Sequence, residues 1–178
     1  MLSKMIRLAL GAAAVVCLGG ASSCVPEMAT GPGYQAPVVQ VAPPANLAQV
    51  CYTDADLQTM HARMVQQELA TAVLGCKDQG GNRLYTNEYT NFIGKYQADL
   101  KTNYVALDDV ARRKRLNIDE VVTQMANRTA GRATEPDFCP RIAKAFNWAL
   151  SANATTLATV PPPYDFAAEM YMFRCPRG

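Results

Sequence analysis

The chain has 178 residues, 49% of them hydrophobic and 18% charged, with a formal net charge of +2. That is enough apolar material for one domain with a real core, and the excess charge comes from Lys4 and Arg7, so the rest of the chain is balanced and offers no strong field to steer a nucleic acid. Nucleophilic and acid-base chemistry is poorly supplied, because His61 is the single histidine and Ser151 the single serine after Ser23.

Met1 to Ser23 reads as an export signal: Lys4 and Arg7 form the charged start, Leu8 to Leu18 the apolar stretch, and Gly19 to Ser23 the small-residue exit. An apolar run of about a dozen residues falls short of the roughly 20 that a spanning helix needs. Ala21, Ser22, Ser23 and Cys24 resemble the lipobox of bacterial lipoproteins, in which the cysteine takes a lipid and becomes the first mature residue. Ala21 stands where that motif usually has leucine, and cleavage by an ordinary signal peptidase is the alternative. The cysteine count favours lipid: with Cys17 lost in the leader and Cys24 acylated, Cys51, Cys76, Cys139 and Cys175 remain as an even set for two disulfides.

Val25 to Val50 carries five of the eleven prolines, two glycines and one charge, which makes it a tether rather than a packed element. Extended, it would reach at most roughly 80 Å. The expected organisation is therefore a signal peptide over 1–23, a lipidated cysteine and proline-rich linker over 24–50, and a helical domain over 51–178.

Thr53 to Cys76 predicts the principal helix, with Thr53 and Asp56 as a capping box and Asp54 favourable to the dipole. Leu57, Met64, Val65, Leu69, Ala72, Val73 and Cys76 fall on one arc at helical spacing, and His61 and Glu68 lie inside that arc. Gly80, Gly81 and Asn82 mark a reversal, after which Thr86 is expected to cap a second helix whose stripe is Tyr89, Phe92, Ile93, Tyr96, Leu100, Tyr104 and Leu107. Asp108 and Asp109 are expected to open, and Arg112, Arg113, Lys114 and Arg115 to close, a short helical piece, a charge order that complements a dipole. The same four cations are a candidate surface for lipid headgroups or an acidic glycan. Asn117 with Glu120 starts the next helix, so that the third arm is read as kinked or split.

A last long helix begins near Pro136 or Asp137 and buries Phe138, Ile142, Ala145, Phe146 and Ala149. Trp148 sits off that stripe, where it can cover the tail or stack under a cation. Pro161 to Pro163 stop any helix, and one or two turns are expected between Tyr164 and Phe173.

A helix from Thr53 to Cys76 is roughly 35 Å long, so Cys51 and Cys76 lie at opposite ends and cannot pair. Up-and-down arms return Cys139 to Cys76 and leave Cys51 with Cys175. A zinc site is the rival use of the four thiols, but they show no paired CxxC spacing.

Leu74, Gly75 and Cys76, then Tyr89 to Phe92 (YTNF), and Phe138 with Cys139 resemble a family of small exported alphaproteobacterial helical proteins with four cysteines, over Val65 to Ala149. The resemblance implies fold and cysteine pairing, and no activity, ligand or site residue. The expectation is thus an all-α, disulfide-linked antiparallel bundle of four to five helices. Its expected role is that of a lipid-anchored, noncatalytic envelope protein, bound to the bilayer through an N-terminal lipid and to an envelope protein or glycan, with no cofactor and no nucleic acid. Val25, rather than aspartate, after Cys24 resembles outer-membrane sorting; secretion or a soluble periplasmic location is the alternative. The competing function is a periplasmic enzyme or ligand-binding protein with a pocket near His61 and Glu68.

Overall fold

In a computed structural model of the chain, which describes residues 41–176, one helical turn, α1 (Leu47–Val50), leads to the long helix α2 (Asp54–Gly75). The leader, Cys24 and the linker up to residue 40 lie outside the described residues. The start of α2 has the expected reciprocal cap: Asp56 N donates to Thr53 Oγ1 and Thr53 N to Asp56 Oδ2, each at 3.1 Å. A cap of this kind stabilises a helix by about 1 kcal/mol. Met60, Met64, Val65, Leu69 and Ala72 of α2 are fully buried. All the later helices, and a 3-10 turn at Leu157–Thr159, pack on it.

After the turn at Asp78 to Asn82, in which Gly81 takes a φ of +82°, the chain does not form the single second helix expected. It makes α3 (Thr86–Lys95) and α4 (Gln97–Lys114), broken at Tyr96 (φ −107°, ψ 20°). The break has a use. Tyr96 turns inward, where its hydroxyl lies 2.6 Å from the Ala149 carbonyl and 2.9 Å from that of Ala154, and burial, helped by Asp99, pushes it up to about 12. Lys95 Nζ donates to the carbonyls of Ala149 and Ser151 at 2.8 and 2.7 Å, so the last residue of α3 and the tyrosine at the break together cap the end of the last helix.

The break also re-aims the stripe: Phe92, Tyr96 and Leu107 are buried, whereas Tyr104, expected inside, is 74% exposed. Thr86 is the first helical residue rather than the cap, and Tyr85 precedes it without a side-chain capping bond to the helix. Asp108 and Asp109 open nothing, because α4 runs through them to the basic residues. The chain does break between the basic residues and Asn117, at Arg115, and α5 (Ile118–Arg132) follows, with Asn117 accepting from the amides of Asp119 and Glu120 at its start. The last, α6 (Phe138–Leu150), buries the five residues of its expected stripe. Trp148 covers the tail through Nε1, which donates to the Thr159 carbonyl at 3.2 Å.

The described chain is all-helical, an antiparallel bundle linked by two disulfides, Cys76 with Cys139 and Cys51 with Cys175. They sit at opposite ends of α2, at its C-cap and just before its N-cap. At the Cys76 pole, Tyr85 Oη donates to the Cys139 carbonyl at 2.9 Å and its ring packs 5.3 Å from that of Phe146. At the Cys51 pole, which residues 41–50 lead into, Tyr52 N donates to the Phe173 carbonyl at 2.8 Å and Cys175 N to the Tyr52 carbonyl at 2.9 Å.

The tail is part of the packed domain. Ala154, Leu157, Val160, Tyr164, Phe166 and Met172 are buried in the main core, although this stretch has no α-helix. The Cys51 to Cys175 bond therefore closes on a segment that belongs to the core, not on a loose end. In the loop-entropy model the sequence separations of 63 and 124 residues correspond to roughly 4 and 5 kcal/mol. Replacing Cys51 and Cys175 by Ser should therefore lower global stability at least as much as replacing Cys76 and Cys139. Urea unfolding followed by circular dichroism checks this; an unchanged midpoint with only the tail becoming protease-sensitive would show that the tail is an appendage.

Candidate functional site

The residues singled out in α2, His61 and Glu68, are two turns apart, and the tail decides what each one meets. Glu68 is completely buried. The amide of Tyr164 donates to its Oε2 at a long 3.4 Å, and no hydrogen-bond partner meets Oε1. Burial pushes the Glu68 carboxyl well above the usual range; Asp165 adds to this, while the Tyr164 amide and Arg141 oppose it. Burial thus favours the neutral acid over the carboxylate at this position, since an isolated charge there would be very costly.

His61 lies on the edge of the same face and is half-exposed. Its Nε2 comes within 3.3 Å of Asp165 Oδ1, out of line for a good hydrogen bond, so the contact is ionic when the ring is protonated. Although burial raises it, the Asp165 carboxyl is held below the usual range by His61 and by the Ala167 amide, which donates at 2.8 Å. The side chains at this surface pair are 32% and 40% exposed, which limits its worth to about 1 kcal/mol or less.

His61 and Asp165 line a cleft of about 770 Å³, with Asp54 and Arg174 at 2.7 Å from each other on its wall and Leu157 and Pro162 among its apolar lining. Glu68 is not on this cleft. The carboxylate that meets His61 in this cleft is thus Asp165 and not the Glu68 that the helical spacing suggests, while Asp54 is taken up by Arg174. Thr159 is the one hydroxyl among the cleft residues, and its Oγ1 donates to the Thr156 carbonyl at 2.7 Å. The arrangement can bind a small polar or amphiphilic molecule; it lines up no nucleophile with His61.

Behind the cleft, the Tyr164 ring packs between cations and aromatic rings. The guanidinium carbons of Arg141 and Arg132 lie 5.0 and 5.6 Å from its centroid, and Phe138 and Phe166 stack at 6.0 and 6.3 Å. Arg132 and Arg128 both reach Glu169, at 3.1 and 3.4 Å. This cluster holds the tail over α2, and so sets where Asp165 stands. Nothing in sequence spacing points to Asp165, Tyr164 or Arg174, because no helical period relates them to α2.

The four cations of the basic run are mostly engaged within the domain. Arg113 pairs with the buried Asp56 at 2.8 Å, and Arg112 with Asp108 at 3.2 Å and with Asp109. Burial would push Asp56 up, but Arg113 and the Thr53 bonds hold it below its usual value. Lys114 Nζ donates to the Cys51 carbonyl and lies 5.0 Å over the Tyr52 ring. Arg115 caps α4 with a left-handed φ of 55°. Among the described residues no group of three or more histidine, cysteine, aspartate or glutamate side chains gathers to hold a metal, and the four thiols are divided between the two poles.

The raised Glu68 carboxyl has a definite linkage sign. Between its unfolded value and its higher folded value the native state binds more protons than the unfolded state, so this contribution to stability falls as pH rises through that window. Glu68→Gln keeps the acceptor for Tyr164 and removes the titration. Urea unfolding across pH 4.5 to 8 should show the wild type losing stability relative to Glu68→Gln, with the variant ahead by about 1 to 3 kcal/mol at the alkaline end. Parallel curves would show that Glu68 does not titrate in this range.

No family model, curated protein or solved structure matches the chain, and its site is therefore read from its own residues.

Proposed function

We propose that the chain is a lipid-anchored, noncatalytic protein of the cell envelope, held by Cys24 at the outer membrane and facing the periplasm, where its bundle serves as a structural or partner-binding module. The observation that carries this reading is the pairing of Cys51 with Cys175 and Cys76 with Cys139. Of six cysteines, four are in disulfides and Cys17 lies in the leader, so Cys24 alone is left for a lipid. Two disulfides also belong to an oxidising compartment. Val25 after Cys24 supports sorting to the outer membrane. Among the described residues no helix is long and apolar enough to cross a membrane.

The His61 cleft supports a second reading, a periplasmic protein that binds a small ligand against His61 and Asp165. The presence of one histidine and, after Ser23, one serine weighs against making it an enzyme. Native mass spectrometry of protein extracted from membranes separates the two: a copurifying small molecule that His61→Ala abolishes favours the ligand-binding reading, and its absence favours the module.

Fractionation tests the anchor. Cys24→Ser should move the protein from the outer-membrane fraction of a sucrose gradient to the soluble periplasmic or secreted one. Unchanged membrane partition would rule out Cys24 as the point of attachment.

A further inference from the structure

We propose that the Cys51 pole of the domain rests directly on the phospholipid surface, with Tyr171 and Val50 inserted at the headgroup level. This rests on the lipid-anchor reading and adds to it a protein face that meets the bilayer. Three observations converge on that pole. The chain outside the described residues, which carries Cys24, enters the domain there, next to the Cys51 to Cys175 bond. The pole also exposes apolar side chains: Tyr171 is 64% and Val50 41% exposed. Tyr171 has its ring 6.3 Å from that of Phe173, at an edge-to-face angle.

Third, the two non-glycine residues with left-handed backbone among those described, Tyr171 (φ 56°) and Arg115 (φ 55°), belong to this pole. They are brought together by a recess lined by Leu116, next to Arg115, and by Met170 and Met172, on either side of Tyr171. Such a conformation is unfavourable for a side chain with a Cβ, and glycine would relieve it. The turn at Tyr171 is fixed by the bonds from Tyr171 N to the Ala168 carbonyl and from Met172 N to the Ala167 carbonyl, at 3.0 and 2.8 Å. A large aromatic residue is thus held outward in a strained turn, where it packs on little of its own domain. That is the arrangement of an interfacial anchor, an amphipathic ring at the boundary between water and acyl chains.

The charges agree with a bilayer, though not with a strongly anionic one. Arg115 is exposed and has a long stem able to lie along the surface with its cation among the phosphates, whereas Lys114 is held by the Cys51 carbonyl and the Tyr52 ring. Asp119 and Glu120 stand across the adjoining turn, and Arg174 is paired with Asp54. The pole is close to neutral, so contact depends on apolar insertion rather than on salt-sensitive attraction. Two exposed side chains are too small an area to hold the domain alone; the lipid supplies a high effective concentration and the pole sets orientation.

The test uses the full lipidated chain, in a Trp148→Phe background that removes the one native tryptophan. Tyr171→Trp, Val50→Trp and, at the opposite pole, Leu84→Trp are each reconstituted in vesicles of phosphatidylethanolamine and phosphatidylglycerol with or without brominated acyl chains. Brominated lipid should cut the emission of the Tyr171→Trp and Val50→Trp proteins at least about twofold, in low and high salt alike, and leave that of Leu84→Trp unchanged. Protein that floats with the vesicles but is quenched at neither site, or only at Val50 where the tether alone brings the probe close, overturns the pole contact and leaves the anchor standing. Equal quenching at all three sites overturns it too, because the domain then has no preferred face. Protein that does not float overturns the anchor and the pole contact together.

Discussion

Every packed element of this domain leans on one helix, α2, so its burial requirement governs the rest. A helix of 22 residues with apolar side chains over such a broad arc has to be covered on several sides at once. In a chain of this length four helical segments and an irregular tail provide the cover. Its ends are fixed separately, by the cap and the Cys51 to Cys175 bond at one pole and by the Cys76 to Cys139 bond at the other. The disulfides thus restrain the two places where a long central helix would otherwise fray.

Covering α2 with a non-helical tail has a cost in unsatisfied backbone, which the structure meets locally. The amide of Leu157 donates to Asp99 Oδ2 at 2.6 Å, that of Tyr164 to Glu68, and that of Ala167 to Asp165. Three carboxyl groups therefore act as fasteners for a segment that three consecutive prolines prevent from forming a helix. The buried Glu68 makes sense in these terms: it is an acceptor for the tail before it is anything else. The His61 cleft is a consequence of the same docking, since its walls come from α2 and the tail.

The basic run has a similar double character. Its position at the end of α4 suits the helix dipole, and Arg113 and Lys114 tie that end to Asp56 and to the Cys51 carbonyl. These ties place the end of α4 against the start of α2 and so assemble the Cys51 pole. Structural work of this kind occupies most of the charge that the sequence displays, and leaves the apolar side chains of the tail turn as the more distinctive feature of that surface.

Much of this was legible in the amino-acid sequence, because it depends on short-range rules. The cap of α2 follows from Thr53 and Asp56 at the required spacing, and the buried stripe of α6 from five residues at helical intervals. The all-helical bundle follows from the amphipathic periods, and the pairing of the cysteines from helix length and chain direction. The break at Tyr96 was not legible, since the stripe continues through it; the carbonyls of Ala149 and Ala154, more than fifty residues away, hold the tyrosine where the helix stops. Nor could spacing assign His61 its carboxylate. Helical periodicity relates His61 to Glu68 on one element, whereas Asp165 arrives on a tail without a period, placed by the packing of Tyr164 among Phe138, Phe166, Arg132 and Arg141. Local sequence determined which segments coil and which faces are apolar; only the tertiary structure decided which polar side chains share a space, because that depends on contacts between residues distant in the chain.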